Sequence, residues 1–280
     1  KRPETREHCP SLEFHSMHSP TLAEFRAMAA SGESRNCIPV TRRLLADSET
    51  PLSAYRKIRG QGESFLFESV EGGEHLGRYS FVGCNPRAII RQNGAVVEVI
   101  ENGKVIQTAR VSRSGEPGSV RDGLEVIEQT LKKYRPATAP GLPRFTGGAV
   151  GFIGYEFVHD VEPVVPKPPV DDLRTPTLYF LIADELLIFD RVAQTIIVAV
   201  NAIIENGAVD DAYEEACGEV DRLITLLEQP LVSKPVAAPA EIPAIPFESN
   251  VTKEKFFANV ADRKSTRLNS SHSSVSRMPS

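Results

Sequence analysis

The 280-residue sequence has no apolar run near the ~20 residues that a helix needs to cross a bilayer. Its longest apolar stretches are short candidate strands near 178–189 and 196–204. The first residues, KRPETREHCPSLEFHS, carry charge and histidine where a signal peptide requires an apolar stretch. We therefore predict a soluble protein without a membrane partner, located in the cytoplasm.

Cysteine is scarce, and its spacing has no motif. Cys9, Cys37, Cys84 and Cys217 lie far apart, without a CxxC pair or nearby paired histidines. Zinc sites and disulfide frameworks both require closer or more numerous ligands and partners. The pattern predicts reduced thiols and no bound metal.

Basic charge is also scarce in most of the chain. Residues 1–262 carry 28 Lys and Arg against 37 Asp and Glu, and the other four basic residues lie in 263–280. Binding to a phosphate backbone requires clustered Lys and Arg. This balance excludes a nucleic-acid partner.

What remains is an ordinary globular composition, with 41% hydrophobic and 25% charged residues. Apolar periodicity and capping residues predict four helices in the body, over 21–30, 50–59, 120–134 and 210–227. In the second of these, Thr50 is a suitable cap and Pro51 takes the first helical position.

Runs rich in aromatic and β-branched residues predict the strands. They occupy 65–69, 78–83, 87–91, 95–101, 104–111, 147–156, 178–190 and 195–203. The pairs Asn93-Gly94 and Asn102-Gly103 predict tight hairpins, because Asn-Gly suits turns with positive φ. Strands joined by hairpins and interrupted by helices predict an α+β fold with a mainly antiparallel sheet and packed helices.

Catalytic motifs are weak throughout. The glycines at 147, 148, 151 and 154 do not match a dinucleotide or phosphate-binding loop, so close packing of strands explains them better. In the body of the chain, only His75 and His159 could act as bases or metal ligands, and neither has partners at a recognisable spacing. We predict no catalytic residue and no metal ligand here.

The segment 65–83 is the most unusual, because a strand ends on Glu68 and Ser69 and a glycine-rich acidic turn leads to Arg78. Such a group could hold an amino acid, with a carboxylate for its ammonium and a guanidinium for its carboxylate. From chemistry alone, a strand end followed by a solvated loop is the simpler interpretation.

Four segments of the chain together carry a family resemblance: TPLSAYRKI (50–58), FLFESVEGGEHLGRYSFVGCNP (65–86), FTGGAVGFIGYE (145–156) and SNVTKEKFFANV (249–260). In this order and at these separations they resemble the N-terminal half of anthranilate synthase component I, a member of the chorismate-utilising group. The resemblance covers about residues 20–261.

The resemblance implies an activity and partners. The family enzyme makes anthranilate and pyruvate from chorismate and ammonia, for tryptophan biosynthesis, with Mg²⁺ as cofactor and a glutamine amidotransferase component II as the ammonia source. Tryptophan inhibits it by feedback, and by position its pocket would include Pro51, Phe67, Glu68, Ser69 and Arg78. Phe67 stands where the family usually has leucine.

The resemblance also implies boundaries. We expect a lead-in at 1–16 without a counterpart, a regulatory α+β domain at 17–228, a proline-rich linker at 229–247 and the start of a chorismate-binding domain at 248–262. The serine-rich segment 263–280 resembles a translated sequencing adaptor, and its composition predicts disorder. We expect the chain to lack catalysis alone and to hold no Mg²⁺, since chorismate and metal would bind the absent domain.

Two alternatives remain open at this point. Component I of aminodeoxychorismate synthase shares this domain and differs mainly in product. A stand-alone amino-acid-binding module without an enzyme would share the same sequence features.

Overall fold

The computed structural model of the chain describes residues 18–31, 35–68, 77–112, 116–162, 164–166, 171, 173–231, 246 and 248–275. Contacts between residues divide the chain into two units, Lys1–Val232 and Ser233–Ser280. The predicted lead-in at 1–16 lies outside the described residues, as does most of the predicted linker at 229–247.

The first unit contains helices and two sheets. The helices are α1 (Leu22–Ala30), α2 (Pro51–Ile58), α3 (Gly123–Leu131), α4 (Val158–Val161) and α5 (Val209–Glu228). The strands are β1 (Cys37–Leu45), β2 (Ser64–Phe67), β3 (Tyr79–Cys84), β4 (Ala88–Asn93), β5 (Val96–Glu101), β6 (Lys104–Val111), β7 (Ser119–Val120), β8 (Gly148–Ile153), β9 (Leu178–Ala183), β10 (Glu185–Asp190) and β11 (Thr195–Ile203).

The two sheets are almost entirely antiparallel. One has five strands in the order β1-β11-β10-β3-β2, and the other has six in the order β7-β6-β5-β4-β9-β8. Among these pairs only β6 and β7 run parallel. The predicted fold class, α+β with a mainly antiparallel sheet and packed helices, is confirmed.

Both faces of the five-stranded sheet are buried. Helices α1, α2 and α5 cover one face, where Leu187 and Phe189 of β10 pack beneath Val220 and Leu223 of α5. On the other face, Leu186 and Ile188 pack with residues of β8 and β9 from the six-stranded sheet. Because its side chains alternate between these two cores, β10 is buried along its whole length.

One predicted strand is in fact two. The sequence predicts a single strand over 178–190, but the chain passes from the six-stranded sheet to the five-stranded sheet at Asp184, between β9 and β10. The Asp184 carboxylate pairs with Arg87 at 2.8 Å, and its carbonyl accepts a hydrogen bond from Asn201 N–H. The polar residue inside the apolar run therefore joins the two sheets.

The start of α2 follows the predicted capping, and the start of α3 differs from the prediction. The hydroxyl of Thr50 accepts from Ser53 N–H at 3.1 Å, with Pro51 as the first residue of α2. Helix α3 is shorter than the predicted 120–134, because Val120 belongs to β7 and Asp122 caps the helix. Thr21 caps α1 together with Glu24.

The hairpins also differ in one detail. At the second Asn-Gly pair, both Asn102 and Gly103 have positive φ, as predicted. At the first pair, Asn93 remains in β4 opposite Val96, so Gly94 and Ala95 form the turn.

The second unit contains α6 (Lys253–Val275). Thr252 caps it by accepting from Lys255 N–H at 3.3 Å. The helix continues through 263–275, where the composition predicts disorder, and its described side chains up to residue 266 are exposed. No described helix of either unit is long and apolar enough to cross a membrane.

Candidate functional site

The residues expected to hold an amino acid lie at the ends of short elements. Pro51 begins α2, Phe67 ends β2 with Glu68 next in the chain, and Arg78 immediately precedes β3. Strands β2 and β3 are antiparallel neighbours with Phe67 opposite Phe81, which brings Glu68 and Arg78 to the same end of the sheet. Ser69 lies outside the described residues.

Arg78 is fixed by a carboxylate that the sequence analysis did not single out. Its Nε and Nη2 donate to the two oxygens of Asp190 at 3.0 and 2.7 Å, in a bidentate pair. The Asp190 side chain is 4% exposed, whereas that of Arg78 is 42% exposed. The hydrogen bonds from Arg78 are the largest cause that holds the pKa of Asp190 below its usual range, and burial opposes them. Arg78 also lies over the ring of Tyr79, 4.9 Å from its centroid.

Arg191, the residue after Asp190, forms a hydrogen bond with Glu68. Arg191 Nη2 donates to Glu68 Oε1 at 3.1 Å and lies 3.4 Å from the hydroxyl of Ser80. Its backbone N–H donates to the carbonyl of Arg78 at 3.0 Å. Two consecutive residues where β10 ends therefore hold the two predicted charged residues. Asp190 binds Arg78, and Arg191 binds Glu68.

Pro51 lies beside the same turn. It lines an open cleft of about 400 Å³ together with Asp190 and Arg191. The other lining residues come from the start of α2 and the ends of β10 and β11: Ala46, Asp47, Glu49, Thr50, Phe189, Gln194 and Thr195. Pro51 thus lines the cleft with Asp190 and Arg191, while Glu68 and Arg78 are bonded to these two residues but are not among those that line the cleft.

Phe67 has different neighbours. Its ring lies 5.3 Å from that of Phe65, two residues earlier on the same face of β2, and it is 52% exposed. It continues a row of aromatic rings that includes Phe81 and Phe145, 5.3 Å apart. The ring is exposed to a ligand, but it lies on the opposite face of the strand end from the Glu68 carboxylate.

Sequence reasoning missed Asp190 and Arg191 as functional residues. Arg191 begins the turn at 191–194, in which Gln194 has a positive φ. The sequence did contain one signal, an Asp-Arg pair at the end of an apolar run. In the structure, the Asp190 carboxylate also accepts from the N–H groups of Val192 and Ala193 at 3.1 Å, as an aspartate at the start of a turn does. The side-chain partners of the Asp-Arg pair lie more than a hundred residues earlier in the chain, so no local pattern links them.

The groups at this end of the sheet are suited to binding a small charged ligand. It offers a half-exposed carboxylate, two guanidinium groups and a cleft whose walls include Pro51 and Phe189. Opposite charges beside an apolar wall suit a zwitterion with an apolar side chain.

The described residues do not form a comparable site for a metal ion. Within the described ranges, no group of three or more His, Cys, Asp or Glu side chains could hold a metal ion. Mg²⁺ requires near-octahedral oxygen ligation, which usually includes one or two carboxylates. The described residues therefore do not fit the Mg²⁺ implied by the family resemblance, and no step through that ion can be derived for them.

Comparison with known proteins gives the relatives of this chain. It is 35% identical over 255 residues to anthranilate synthase component 1 of Acetivibrio thermocellus, and 36% identical over 260 residues to that of Synechocystis sp.. Each match covers 89% of this chain. This chain is a homologue of anthranilate synthase component 1. The component 1 of Pseudomonas putida is 35% identical over 244 residues, which are 83% of this chain.

Each match to anthranilate synthase component 1 covers only part of the relative's length. The chain spans about half the length of these curated relatives, between 45% and 48%. No family model matches the chain. Among solved structures it is similar to anthranilate synthase component I from Streptococcus pneumoniae TIGR4, at a TM-score of 0.39 and 22% identity, over 67% of this chain and 37% of that one.

Proposed function

We propose that this chain is the amino-acid-sensing part of an anthranilate synthase component I, and that the cleft beside Asp190 and Arg191 binds tryptophan as a feedback inhibitor. The observation that carries the proposal is the convergence of Glu68, Arg78 and Pro51 on one turn. Homology to component 1 over most of the chain supports the same function.

In this proposal the charged groups bind the two ends of the amino acid. Glu68 accepts from the ligand ammonium, and Arg78 and Arg191 donate to its carboxylate. Charge-assisted hydrogen bonds of this kind are about twice as strong as those between neutral groups. The indole would pack against the apolar wall formed by Pro51 and Phe189.

The whole enzyme, by the same proposal, works in the cytoplasm and converts chorismate to anthranilate and pyruvate with ammonia from a glutamine amidotransferase component II. Within the described residues, no group of three or more His, Cys, Asp or Glu side chains could hold a metal ion, and the sequence analysis predicts no catalytic residue. We therefore expect this chain to bind rather than to catalyse. Mixing it with component II, glutamine and chorismate should give no fluorescent anthranilate, and turnover would contradict this part of the proposal.

Binding can be measured without interference, because the chain contains no tryptophan. The fluorescence anisotropy of L-tryptophan should rise as the protein is added, with an affinity weaker than micromolar. Weak binding is expected because the chain spans half of its relatives' length and, by the resemblance, part of the pocket lies in the remainder.

Variants decide which groups bind. Glu68→Gln and Arg78→Met should each weaken binding about tenfold or more, because each removes charge-assisted hydrogen bonds. Arg26→Met is the matched control, since Arg26 also forms a bidentate pair, with Asp210, elsewhere on the surface. N-acetyl-L-tryptophan, which lacks the ammonium, should not compete. A flat anisotropy, or equal competition by the acetylated ligand, would contradict the proposal.

A further inference from the structure

A second cavity lies at the other end of β10, where the chain passes between the sheets. It has a volume of about 210 Å³ and touches β1, β8, β9, β11 and the end of α3. Six residues of extended chain separate Asp184 from Asp190, which is roughly 20 Å. The cavity is therefore distinct from the cleft beside Asp190.

Most of its wall is apolar. Cys37, Ile182 and Ala183 are buried behind it, and Leu131 and Tyr134 close the side formed by α3 and the residues after it. Pro136 at the rim is exposed, so the cavity reaches the surface. Burial raises the pKa of the Cys37 thiol to about 11 and raises that of the Tyr134 hydroxyl, so both groups are neutral at physiological pH.

One end of the cavity is polar and incompletely satisfied. Arg87 Nη2 donates to Asp184 Oδ2 at 2.8 Å, while Asp184 Oδ1 is buried and has no hydrogen-bond partner in the described part of the chain. The Asp184 side chain is 13% exposed. Burial is the largest cause that raises the pKa of Asp184, and the pair with Arg87 opposes it. A buried carboxylate oxygen without a donor is unfavourable, so a donor placed there would stabilise it.

The neighbouring side chain, that of Asn201, has a different hydrogen-bond partner. Asn201 Nδ2 donates instead to the carbonyl of Thr146 at 2.7 Å. The approach is close: a Cβ at Gly147 would lie 2.3 Å from this nitrogen and 2.9 Å from the carbonyl oxygen of Ala183. Gly147 also has a φ of +149°, which side-chain-bearing residues rarely adopt. The absence of a side chain at Gly147 thus leaves room for the Asn201 amide to bond to the Thr146 carbonyl.

We propose that this cavity is a binding site for a compact aromatic molecule that carries one uncharged N–H donor, such as an aromatic amine, with the N–H directed at Asp184 Oδ1. The charges of Arg87 and Asp184 already balance each other, so an ammonium would leave the buried site with an unpaired positive charge, whereas a neutral N–H does not. The size fits, because an apolar cavity of about 150 Å³ is sufficient for benzene.

Two probes of nearly equal shape test the proposal: 4-fluoroaniline, which has the donor, and fluorobenzene, which lacks it. Ligand-observed fluorine NMR with the full chain should show saturable binding of both. 4-Fluoroaniline should bind about tenfold or more tightly than fluorobenzene, as expected for a hydrogen bond to a charged acceptor. Asp184→Asn should reduce that preference.

Leu131→Phe is the variant that keeps the test decisive if Asp184→Asn does not fold. Leu131 is half-buried at the end of α3, and a larger side chain there would fill the cavity and weaken both probes. Leu45→Phe is its control, because Leu45 is 73% exposed at the end of β1. Absence of saturable binding, or unchanged binding to Leu131→Phe, overturns the site. Equal affinities for the two probes overturn the hydrogen bond to Asp184.

Discussion

The pair between Arg78 and Asp190 allows a quantitative test of how the candidate site is held. Replacing Asp190 by Asn keeps the shape of the side chain and removes its charge. The Asp190 carboxylate accepts four hydrogen bonds, two from Arg78 and one each from the N–H groups of Val192 and Ala193. Asn can accept only part of these and turns an NH₂ toward other donors.

The expected cost is about 2–3 kcal/mol in the free energy of unfolding. Hydrogen bonds to a charged group contribute roughly 1.5–3 kcal/mol. Arg78 is 42% exposed and recovers water, so the loss stays near one such contribution and does not reach the sum of four.

The loss should depend on pH in a defined direction. Because the folded-state pKa of Asp190 is lowered, the stability from its ionised form is fully present above the unfolded value of about 4. It disappears as the pH falls through the lower folded value. The difference between wild type and Asp190→Asn should therefore be constant from neutral pH to about pH 5 and shrink below about pH 4.

Urea unfolding followed by far-UV circular dichroism measures this difference, since the midpoint changes with stability while the slope stays constant. Asp210→Asn is the matched control, because Asp210 also accepts a bidentate pair, from Arg26, but half of each side chain is exposed. Asp210 also lies in the first turn of α5, so the midpoint of this variant should fall, but clearly less than that of Asp190→Asn. Equal midpoints for the two variants, or a difference that does not change with pH, would refute the reasoning.

Three further substitutions test packing elsewhere in the fold, each by the same urea measurement. Gly218→Ala in α5 should stabilise the protein by about 0.5–1 kcal/mol, because Gly218 is exposed, its added Cβ meets no atom within 4 Å and alanine favours a helix; a lower midpoint would contradict this. Gly151→Ala in β8 should cost about 1–3 kcal/mol, because its Cβ would lie 1.9 Å from the carbonyl oxygen of Tyr179, and an unchanged midpoint would count against the close approach. Arg222→Met should cost about 3 kcal/mol at neutral pH, since it leaves the carboxylate of Glu185, only 6% exposed, without its cation. Burial already raises the pKa of Glu185, so acidification should neutralise that carboxylate and recover part of the loss; a cost that grows with acid would be the contrary result.

Local signals predicted the elements whose stability is local. The start of α2 follows from Thr50 and Pro51, and most of α5 follows from its apolar stripe and acidic first turn. The α3 boundary was wrong because Val120 happens to continue the helical phase, although its backbone pairs with β6 as part of β7. A strand and a helix can share an apolar spacing over one turn, and the cap at Asp122 decides between them.

Long-range signals could not be predicted in the same way. The break between β9 and β10 depends on Arg87, almost a hundred residues away, which pairs with Asp184. The candidate site has the same character. The charge pattern of segment 65–83 and the family resemblance both pointed to Glu68 and Arg78, whereas their partners Arg191 and Asp190 become neighbours only through the pairing of β3 with β10. Periodicity reports which face of a strand is buried, but not which strand lies beside it.

The register of β10 connects these features. Its side chains alternate between two buried cores, so a shift of one residue would exchange Leu187 and Phe189 with Leu186 and Ile188. The same shift would separate each acidic residue at its ends from its arginine, Glu185 from Arg222 and Asp190 from Arg78. Apolar packing and ion pairs therefore favour one register. Because Asp190 and Arg191 lie at the end of this strand, that register also sets the positions of their partners, Arg78 and Glu68.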